Sequence, residues 1–386
     1  MSVVRREIYL DNAATTFPKP DAVAQACERF LRSCGGSPAR GHYPKAREAE
    51  GILVGCRAGL AELFSVSDPS RFVLTTNCTE ALNLAIKSLL HDGDHVVTSD
   101  VEHNAVLRPL HAMHEQRGVG VSHVEASADG LIDPSAVRAA MRRTTKLVAI
   151  THASNVLGTV QDVAAIARVA HDAGARLLVD GAQAAGTVPT DLSALGVDVY
   201  AFSGHKGLLG PHGTGGLYVG PDVTLEPLKE GGTGSFSEDP HQPDTIPDGM
   251  ESGTPNMLGF AGLAAGIAWV AAKTVPSIRA HETALAGRFL RGASEIAGIT
   301  CHGPTDPDAR VGLVALSVAG MDPSDVGNLL WRRAGVMVRT GLHCAPLVHR
   351  RLGLEKAGTV RFGFGVFNTE EDVDAALAAL GEIAKR

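Results

Sequence analysis

Residues 146–180 read KLVAITHASNVLGTVQDVAAIARVAHDAGARLLVD and decide the fold class. Two apolar runs, Lys146–Ile150 and Arg176–Asp180, flank the segment Asp162–Ala173. Within that segment apolar residues recur at helical spacing, and Gly174 follows as a C-cap. The stretch therefore predicts a strand, a helix and a second strand, and a connection of this length joins parallel strands.

Further strand and helix signals extend this unit on both sides. They predict strands Arg71–Thr75, His95–Thr98 and Val197–Phe202, and helices Thr79–Leu90 and Asn104–Gln116. Because the strands are apolar throughout rather than alternating, we expect an α/β fold whose mostly parallel central sheet is buried by helices on both faces. Ligands of such sheets bind at the carboxyl ends of the strands.

The composition and the pattern of the sequence change after residue 220. Residues 231–256 contain five glycines and four prolines, which in a compact domain predicts a functional loop rather than a linker. The apolar stretch Leu258–Ala272 predicts a buried helix. A smaller C-terminal α/β domain is predicted by the pattern that follows, which is a strand at Gly312–Val318, a helix capped by Asp322 and a strand at Val336–Val338. We expect a large domain over residues 16–255 and a small domain formed by residues 1–15 and 256–386.

Composition excludes several classes of protein. The chain has 386 residues, of which 44% are hydrophobic and 20% are charged, so neither disorder nor a membrane protein is indicated. The net charge of −7 disfavours binding to nucleic acid or to anionic membranes. The N-terminal residues lack an apolar stretch with a cleavage site, so we expect a cytoplasmic protein. The six cysteines form no C-x-x-C pair, and His111 with His114 is a weak metal signal, so no metal is expected.

Two strand ends carry the chemistry. The strand ending at Phe202 leads into Ser203, His205 and Lys206 in a glycine-flanked turn, and the strand Arg176–Asp180 ends in a carboxylate. A lysine for a Schiff base and an acid for the ring nitrogen are the groups that pyridoxal phosphate requires. Taken alone, the lysine could also be a solvated surface residue, and the acid could pair with an arginine.

A phosphate site is predicted at the start of the helix that follows Arg71–Thr75. There the free N–H groups around Cys78 and Thr79 coincide with the positive end of the helix dipole, and Ser203 and His205 could add donors. Thr79 could instead be an ordinary N-cap. His103 follows another strand, where an imidazole could stack on a ring or serve a structural purpose.

Nine motifs in order carry a family resemblance: YLDNAATT, TNCTEALNL, VEHNAV, SNVLGTVQD, VDGAQ, SGHKG, SGTPN, RTGLHCAP and VRFGFGVFNTEEDVD. The sequence resembles the class V aminotransferase superfamily, and within it the cysteine desulfurases of group II, the selenocysteine-lyase-like kind. The resemblance implies the fold type I architecture of enzymes that depend on pyridoxal 5′-phosphate, and a homodimer with shared active sites. It implies that L-cysteine is converted to L-alanine and that the sulfur passes to an acceptor protein.

The resemblance also implies individual roles. Lys206 would hold the cofactor, Asp180 its ring nitrogen and Gln183 its 3′ oxygen, while His103 would stack on the ring. The residues implied for the phosphate are Cys78, Thr79, Ser203, His205 and, from the neighbouring subunit, Thr254. The residues implied for the substrate are Asn155, near the cofactor as well, Arg339 and Arg361.

Cys344 matches the cysteine that forms the persulfide, and we expect His343 and Arg339 to favour its thiolate. The alternative for Cys344 alone is a buried structural cysteine. Leu342 stands where close relatives commonly have a second histidine, and the stretch GGTGSFSEDP, residues 231–240, differs from the corresponding segment of the housekeeping iron–sulfur assembly enzymes. The alternatives for the whole chain are a selenocysteine lyase, another C–S lyase or aminotransferase, and a catalytically silent sulfur carrier or scaffold.

Overall fold

The computed structural model describes residues 6–38, 41–235 and 237–385. The predicted small domain begins at residue 1 and ends at residue 386, and both of these positions lie outside the described residues. Residue 236 of the predicted loop 231–256 also lies outside them. The helices are α1 (Asp21–Arg29), α2 (Pro44–Leu63), α3 (Cys78–Leu89), α4 (Asn104–Arg117), α5 (Pro134–Ala140), α6 (Val163–Asp172), α7 (Leu192–Leu195), α8 (Met257–Lys273), α9 (Val275–Ser294), α10 (Pro323–Ala334), α11 (Pro346–Arg351) and α12 (Glu370–Ala384).

Seven of the strands form the central sheet. They are β2 (Phe72–Thr75), β3 (His95–Ser99), β4 (Gly120–Val124), β5 (Thr145–Thr151), β6 (Arg176–Asp180), β7 (Val199–Ser203) and β8 (Gly215–Val219), in the spatial order β2-β8-β7-β6-β5-β3-β4. Neighbours from β7 to β4 pair in parallel, whereas β8 runs antiparallel to both β2 and β7. The predicted mostly parallel sheet is confirmed.

Helices cover both faces of this sheet. Along β6, Leu177 and Val179 contribute to the core that contains α2, α6 and α8, while Leu178 between them contributes to the core that contains α3 and α4. Side chains alternate across a strand, so a strand with no polar position must be buried on both sides. Burial on both faces of the sheet thus explains why the strands are apolar along their whole length.

The strand β8 was not predicted from the sequence because it begins with two glycines, which weaken a strand signal. Gly215 is required by a close approach of backbone. A Cβ at this position would lie 2.7 Å from the Cα of Asn77, which caps α3. The glycine thus lets the start of α3 lie directly against the sheet.

A second sheet forms from the C-terminal part of the chain. The strands β9 (Ile299–His302), β10 (Leu313–Val318), β12 (Arg339–Gly341) and β13 (Thr359–Gly363) make an antiparallel sheet in the order β12-β13-β10-β9. The short strands β1 (Ile8–Tyr9) and β11 (Val336–Met337) pair in parallel. N-terminal residues are thereby brought beside β13, which positions Asp11 for the site described below.

The helix α8 confirms the predicted buried helix. Its residues Phe260, Leu263 and Ile267 pack into the core of the central sheet. Among the described residues no single helix is long and apolar enough to span a membrane; only α8 and α9 together reach that length, with an 81° bend between them.

Candidate active site

A cavity of about 200 Å³ lies at the carboxyl ends of β5, β6 and β7, beside the first turns of α3 and α4. It brings together nine of the residues predicted from the sequence: Cys78, Thr79, His103, Asn155, Asp180, Gln183, Ser203, His205 and Lys206. The sheet edge explains this convergence, because parallel strands end at the same edge.

Lys206 and Asp180 form the charged centre of the cavity. Burial lowers the pKa of Lys206, and the negative charge of Asp180 opposes that shift. An amine whose pKa is lowered has a larger neutral fraction, and the neutral amine is the nucleophile and the base. Asp180 is itself held in place, since one carboxylate oxygen accepts the backbone N–H of Ala182 at 2.9 Å.

Cys78 lies in the first turn of α3 and contacts this carboxylate. Its Sγ is 3.4 Å from Oδ1 of Asp180, and burial raises the pKa of the thiol well above its ordinary value. The N-cap of α3 is Asn77, whose side chain accepts the N–H of Glu80 at 2.9 Å. The alternative prediction, that Thr79 is an ordinary N-cap, is therefore wrong. The N–H groups of Cys78 and Thr79 precede the first intrahelical bond and are free for an anion.

His205 supplies a further donor at this end of the cavity. Its Nδ1 is buried and has no partner within the described residues. Its ring stacks on that of His212 with the centroids 4.9 Å apart. Burial, with the nearby charge of Lys206, lowers the pKa of His205 to about 3. At neutral pH this imidazole is uncharged and has one N–H to donate.

His103 has a defined tautomer. It caps α4, and its Nδ1 accepts the backbone N–H of Ala105 at 2.9 Å. Burial lowers the pKa of His103, although Asp180 opposes the shift. Because Nδ1 accepts, the proton of the neutral ring is on Nε2.

Arg361 and Arg339 lie outside the cavity lining; Arg361 is joined to it through Asn155, and Arg339 is joined to Arg361 through Asp11. Nη1 of Arg361 donates to the Asn155 carbonyl at 2.9 Å. Nη2 of Arg361 donates to Asp11 at 3.2 Å, and Nε of Arg339 donates to the other oxygen of Asp11 at 3.1 Å. Arg361 is buried, while the side chain of Arg339 is 52% exposed. Burial lowers the pKa of Arg361, and Asp11 is the largest influence against that shift.

Cys344 is exposed, so the alternative of a buried structural cysteine is wrong. It lies on a loop whose backbone is left-handed at both His343 (φ 48°) and Cys344 (φ 57°). Such residues persist only where their surroundings hold them. Here the Cys344 carbonyl accepts the N–H of Asn104 at 2.8 Å, and the His343 carbonyl accepts Nδ2 of Asn155 at 2.6 Å. Both contacts fix the loop against the wall of the cavity.

The expected support of the Cys344 thiolate by His343 is wrong. The His343 ring is buried and its Nε2 contacts Oγ1 of Thr359 at 3.0 Å. Burial, with the charge of Arg361, lowers its pKa to about 2, so the ring carries no positive charge at neutral pH. Arg339, the other expected source of positive charge, is paired with Asp11. The sequence could not reveal that the imidazole faces inward.

Two predicted residues have other surroundings. Thr254 is exposed and lines a separate surface depression with Arg57 and Glu251, not the cavity. Gln183 lines the cavity, and its Nε2 donates to the Ala13 carbonyl at 2.9 Å. In the part of the chain that the structure describes, no three His, Cys, Asp or Glu side chains are grouped to hold a metal ion.

Sequence reasoning missed Asp11 and Glu102 as parts of the site. Asp11 lies in the YLDNAATT motif that carried the family resemblance, but its partners are more than 300 residues away. Glu102 directly precedes His103; it is fully buried and accepts the N–H of Thr151, which lines the cavity. The sequence signal for Asp11 was a carboxylate within a motif that carries the resemblance, and the signal for Glu102 was a carboxylate next to His103.

The residues present fit pyridoxal phosphate. A phosphate would find donors in the N–H groups at the start of α3, in Ser203 and in Nδ1 of His205, which is buried and lacks a partner in the described part of the chain. The Asp180 carboxylate faces the same cavity and suits a protonated ring nitrogen, and Lys206 suits a carbonyl carbon. These groups line one cavity, so the cofactor can contact them together.

The whole chain is similar to proteins of one family. The family model for class V aminotransferases matches residues 8–376. A probable cysteine desulfurase of Methanothermobacter thermautotrophicus is 39% identical to it, over 99% of this chain and 96% of its own length. A cysteine desulfurase of Yersinia pestis is 34% identical, over 98% of this chain and 93% of its own length.

Solved structures agree. The apo cysteine desulfurase of Thermococcus onnurineus NA1 has a TM-score of 0.92 at 33% identity, over 98% of this chain and 95% of that one. The cysteine desulfurase CsdA of Escherichia coli, in its S-sulfonic acid form, has a TM-score of 0.89 at 31% identity, over the same shares of the two chains. The chain therefore belongs to the class V aminotransferase family, and within it to the cysteine desulfurases, which depend on pyridoxal phosphate.

Proposed function

We propose that this enzyme converts L-cysteine to L-alanine and holds the sulfur as a persulfide on Cys344 until an acceptor protein takes it. The observation that carries the proposal is the placement of an exposed thiol on a loop that is bonded to Asn155, which lines the cavity, and to Asn104, which lies between the lining residues His103 and Ala105. Simple elimination or transamination has no use for a thiol held in this way.

The residues divide the work of the reaction. Arg361 and Asn155 would bind the substrate carboxylate, with the arginine in a bidentate pair, and Arg339 would add charge at the rim. When bound, pyridoxal phosphate supplies an electron sink for negative charge that develops at the substrate Cα. Nζ of Lys206, whose pKa burial lowers, would accept the Cα proton. Nε2 of His103 carries a proton that it can donate within the cavity.

Cys344 would then act as the nucleophile. Its Sγ, as thiolate, forms a bond to the substrate sulfur while the substrate Cβ–S bond breaks, and the electron pair of that bond remains with carbon. The carbon fragment takes up protons and leaves as alanine. The sum of the reaction is L-cysteine plus an enzyme thiol giving L-alanine plus an enzyme persulfide, so it needs no external oxidant or reductant.

Further predictions follow from the family resemblance. We propose that the enzyme is of group II, that it is cytoplasmic, and that it is a homodimer in which the partner's copy of Thr254 reaches the cofactor phosphate. The exposure of Thr254, away from the cavity of its own chain, supports that arrangement. The division into residues 16–255 and residues 1–15 plus 256–386 stays a prediction. L-Selenocysteine is the alternative substrate.

The test compares Cys344→Ser with Cys27→Ser, a matched control at a partly exposed cysteine far from the loop in sequence. Alanine release from L-cysteine is measured, and the persulfide is located by mass spectrometry of peptides. We expect the Cys344 variant to lose both signals while it keeps the visible absorbance of the cofactor, and the control to keep all three. Undiminished alanine release by Cys344→Ser would overturn the proposal. L-Selenocysteine in the same assay decides the substrate preference.

A further inference from the structure

Two arginines of the small antiparallel sheet lie directly opposite each other. Arg339 on β12 and Arg361 on β13 are register partners. Like charges at directly opposite positions of adjacent strands repel each other. Arg361 is almost completely buried, with its side chain 3% exposed, so water screens this repulsion poorly.

Asp11 lies between the two guanidinium groups. One carboxylate oxygen accepts Nη2 of Arg361 at 3.2 Å, and the other accepts Nε of Arg339 at 3.1 Å. The backbone around Asp11 is fixed to β13, because Gly363 donates to the Leu10 carbonyl at 2.7 Å and Asn12 donates to the Gly363 carbonyl at 3.3 Å. The sheet therefore fixes the backbone that carries this carboxylate, and the two guanidinium groups hold the carboxylate itself.

Arg361 retains capacity for a second anion. A guanidinium has five N–H donors. The structure uses one on Nη1, for the Asn155 carbonyl, and one on Nη2, for Asp11, while the buried Nε has no partner within the described residues. In those residues Asp11 is also the one carboxylate within 4 Å of Arg361.

We propose that Asp11 is a specificity-determining residue, an internal counter-ion that makes the carboxylate subsite at Arg361 selective for amino acids over simple anions. This inference rests on the proposed role of Arg361 in binding the substrate carboxylate. With Asp11 in place the buried charge is already compensated, so a simple anion gains little by binding there. An amino acid is held by its amino group and thiol as well, and these contacts make up for the weakened attraction at its carboxylate.

Neutralising Asp11 then has a counter-intuitive result. A buried arginine that loses its counter-ion is destabilised, and any anion that binds beside it restores the lost compensation. The Asp11→Asn variant keeps an oxygen acceptor of the same shape but removes the charge. It should therefore be less stable than the wild type and should bind simple carboxylates more tightly. Damage to the fold alone would weaken such binding.

The experiment measures acetate, a carboxylate with no amino or thiol group, on the holoenzyme. The inhibition constant of acetate against L-cysteine is determined, together with the acetate-dependent rise of the thermal unfolding midpoint. For Asp11→Asn we expect the inhibition constant to fall by about tenfold, the scale of one charge-assisted hydrogen bond, and the midpoint to rise more steeply with acetate than in the wild type. Asp374→Asn, which opens an exposed pair with Arg288, is the control and should leave both readouts unchanged.

Two other variants separate the possible failures. Arg361→Gln should abolish the acetate-dependent rise of the unfolding midpoint, a readout that needs no turnover; if acetate stabilises this variant as it does the wild type, the proposed carboxylate subsite is wrong. If Arg361→Gln behaves as expected but Asp11→Asn binds acetate no more tightly than the wild type, the subsite stands and the role of Asp11 is refuted. Should Asp11→Asn not fold, the double variant Asp11→Ala, Arg339→Ala conserves net charge, leaves Arg361 uncompensated and is expected to show the same gain.

Discussion

Replacement of Glu102 by glutamine is expected to stabilise the protein increasingly as the pH rises. Glu102 is fully buried between β3 and β5, where its Oε1 accepts the Ser99 hydroxyl at 2.6 Å and the Thr151 N–H at 3.0 Å. Its Oε2 has no partner within the described residues. Burial raises the pKa of this carboxyl from 4.5 to about 8, against the effect of both hydrogen bonds, and the charge of Asp180 adds to the rise.

The direction and size of the effect follow from linkage. The folded state binds the Glu102 proton more tightly than the unfolded state, so the stabilisation is fully present below pH 4.5 and is lost as the pH rises through about 8. One pKa unit corresponds to about 1.4 kcal/mol. The shift from 4.5 to about 8 therefore corresponds to about 5 kcal/mol between these limits.

Glutamine removes this dependence because it is neutral at every pH and its amide oxygen can accept the same two hydrogen bonds. The free energy of unfolding is measured by denaturant titration of the wild type, Glu102→Gln and Glu355→Gln at intervals from about pH 5 to pH 9. We expect the wild type to lose about 1.4 kcal/mol per pH unit relative to Glu102→Gln between about pH 5 and pH 8. The exposed Glu355 is the control, and its variant should follow the wild type. If the difference in unfolding free energy between Glu102→Gln and the wild type stays constant across this pH range, Glu102 does not have a raised pKa in the folded protein.

Three further predictions concern the loop, the second subunit and the core. Asn155→Ala removes the 2.6 Å bond to the His343 carbonyl. Persulfide formation should therefore slow by about tenfold even at saturating L-cysteine, where the loss of the contact of Asn155 with the substrate no longer limits the rate, as single-turnover assays on the cofactor-loaded enzyme would show. Mixing chains that carry Lys206→Ala with chains that carry Thr254→Ala, each inactive alone, should restore activity, because each mixed dimer then has one complete site. If no activity is restored, Thr254 serves the site of its own chain. Arg310 is fully buried and donates hydrogen bonds to the carbonyls of four residues: Leu313, Pro304, Leu157 and His302. Arg310→Lys should therefore lower the free energy of unfolding by about 3 kcal/mol or more. An unchanged denaturation midpoint would contradict this expectation.

The parts of the site that the sequence predicted are those whose position follows from local pattern. Asp180 ends one strand, and Ser203 ends another just before His205 and Lys206, so the parallel sheet alone brings them to one edge. The continuous runs of apolar residues were sufficient to find these strands, because each strand is buried on both faces. The geometry of the cofactor cavity thus depends on features that lie within a few residues of each functional group.

The parts that the sequence did not predict depend on pairings between distant segments. Asp11 meets Arg361 across 350 residues of chain, because β1 pairs with β11 and the residues after β1 lie along β13. The inward orientation of His343 likewise depends on Thr359 of β13. A histidine next to a reactive cysteine suggests a basic neighbour, but only the tertiary structure shows that this ring is desolvated and neutral.

These long-range pairings connect the carboxylate subsite to the thiol. Arg361 donates to the carbonyl of Asn155, and the side chain of Asn155 donates to the carbonyl of His343, the residue before Cys344. The loop at this point is left-handed at two non-glycine residues, a conformation that needs external bonds to persist. A change in the position of Arg361 therefore reaches the loop that carries Cys344 through two hydrogen bonds. Arg361 and Asn155, which are proposed to recognise the substrate carboxylate, thus also help to hold the loop of Cys344, the proposed sulfur acceptor.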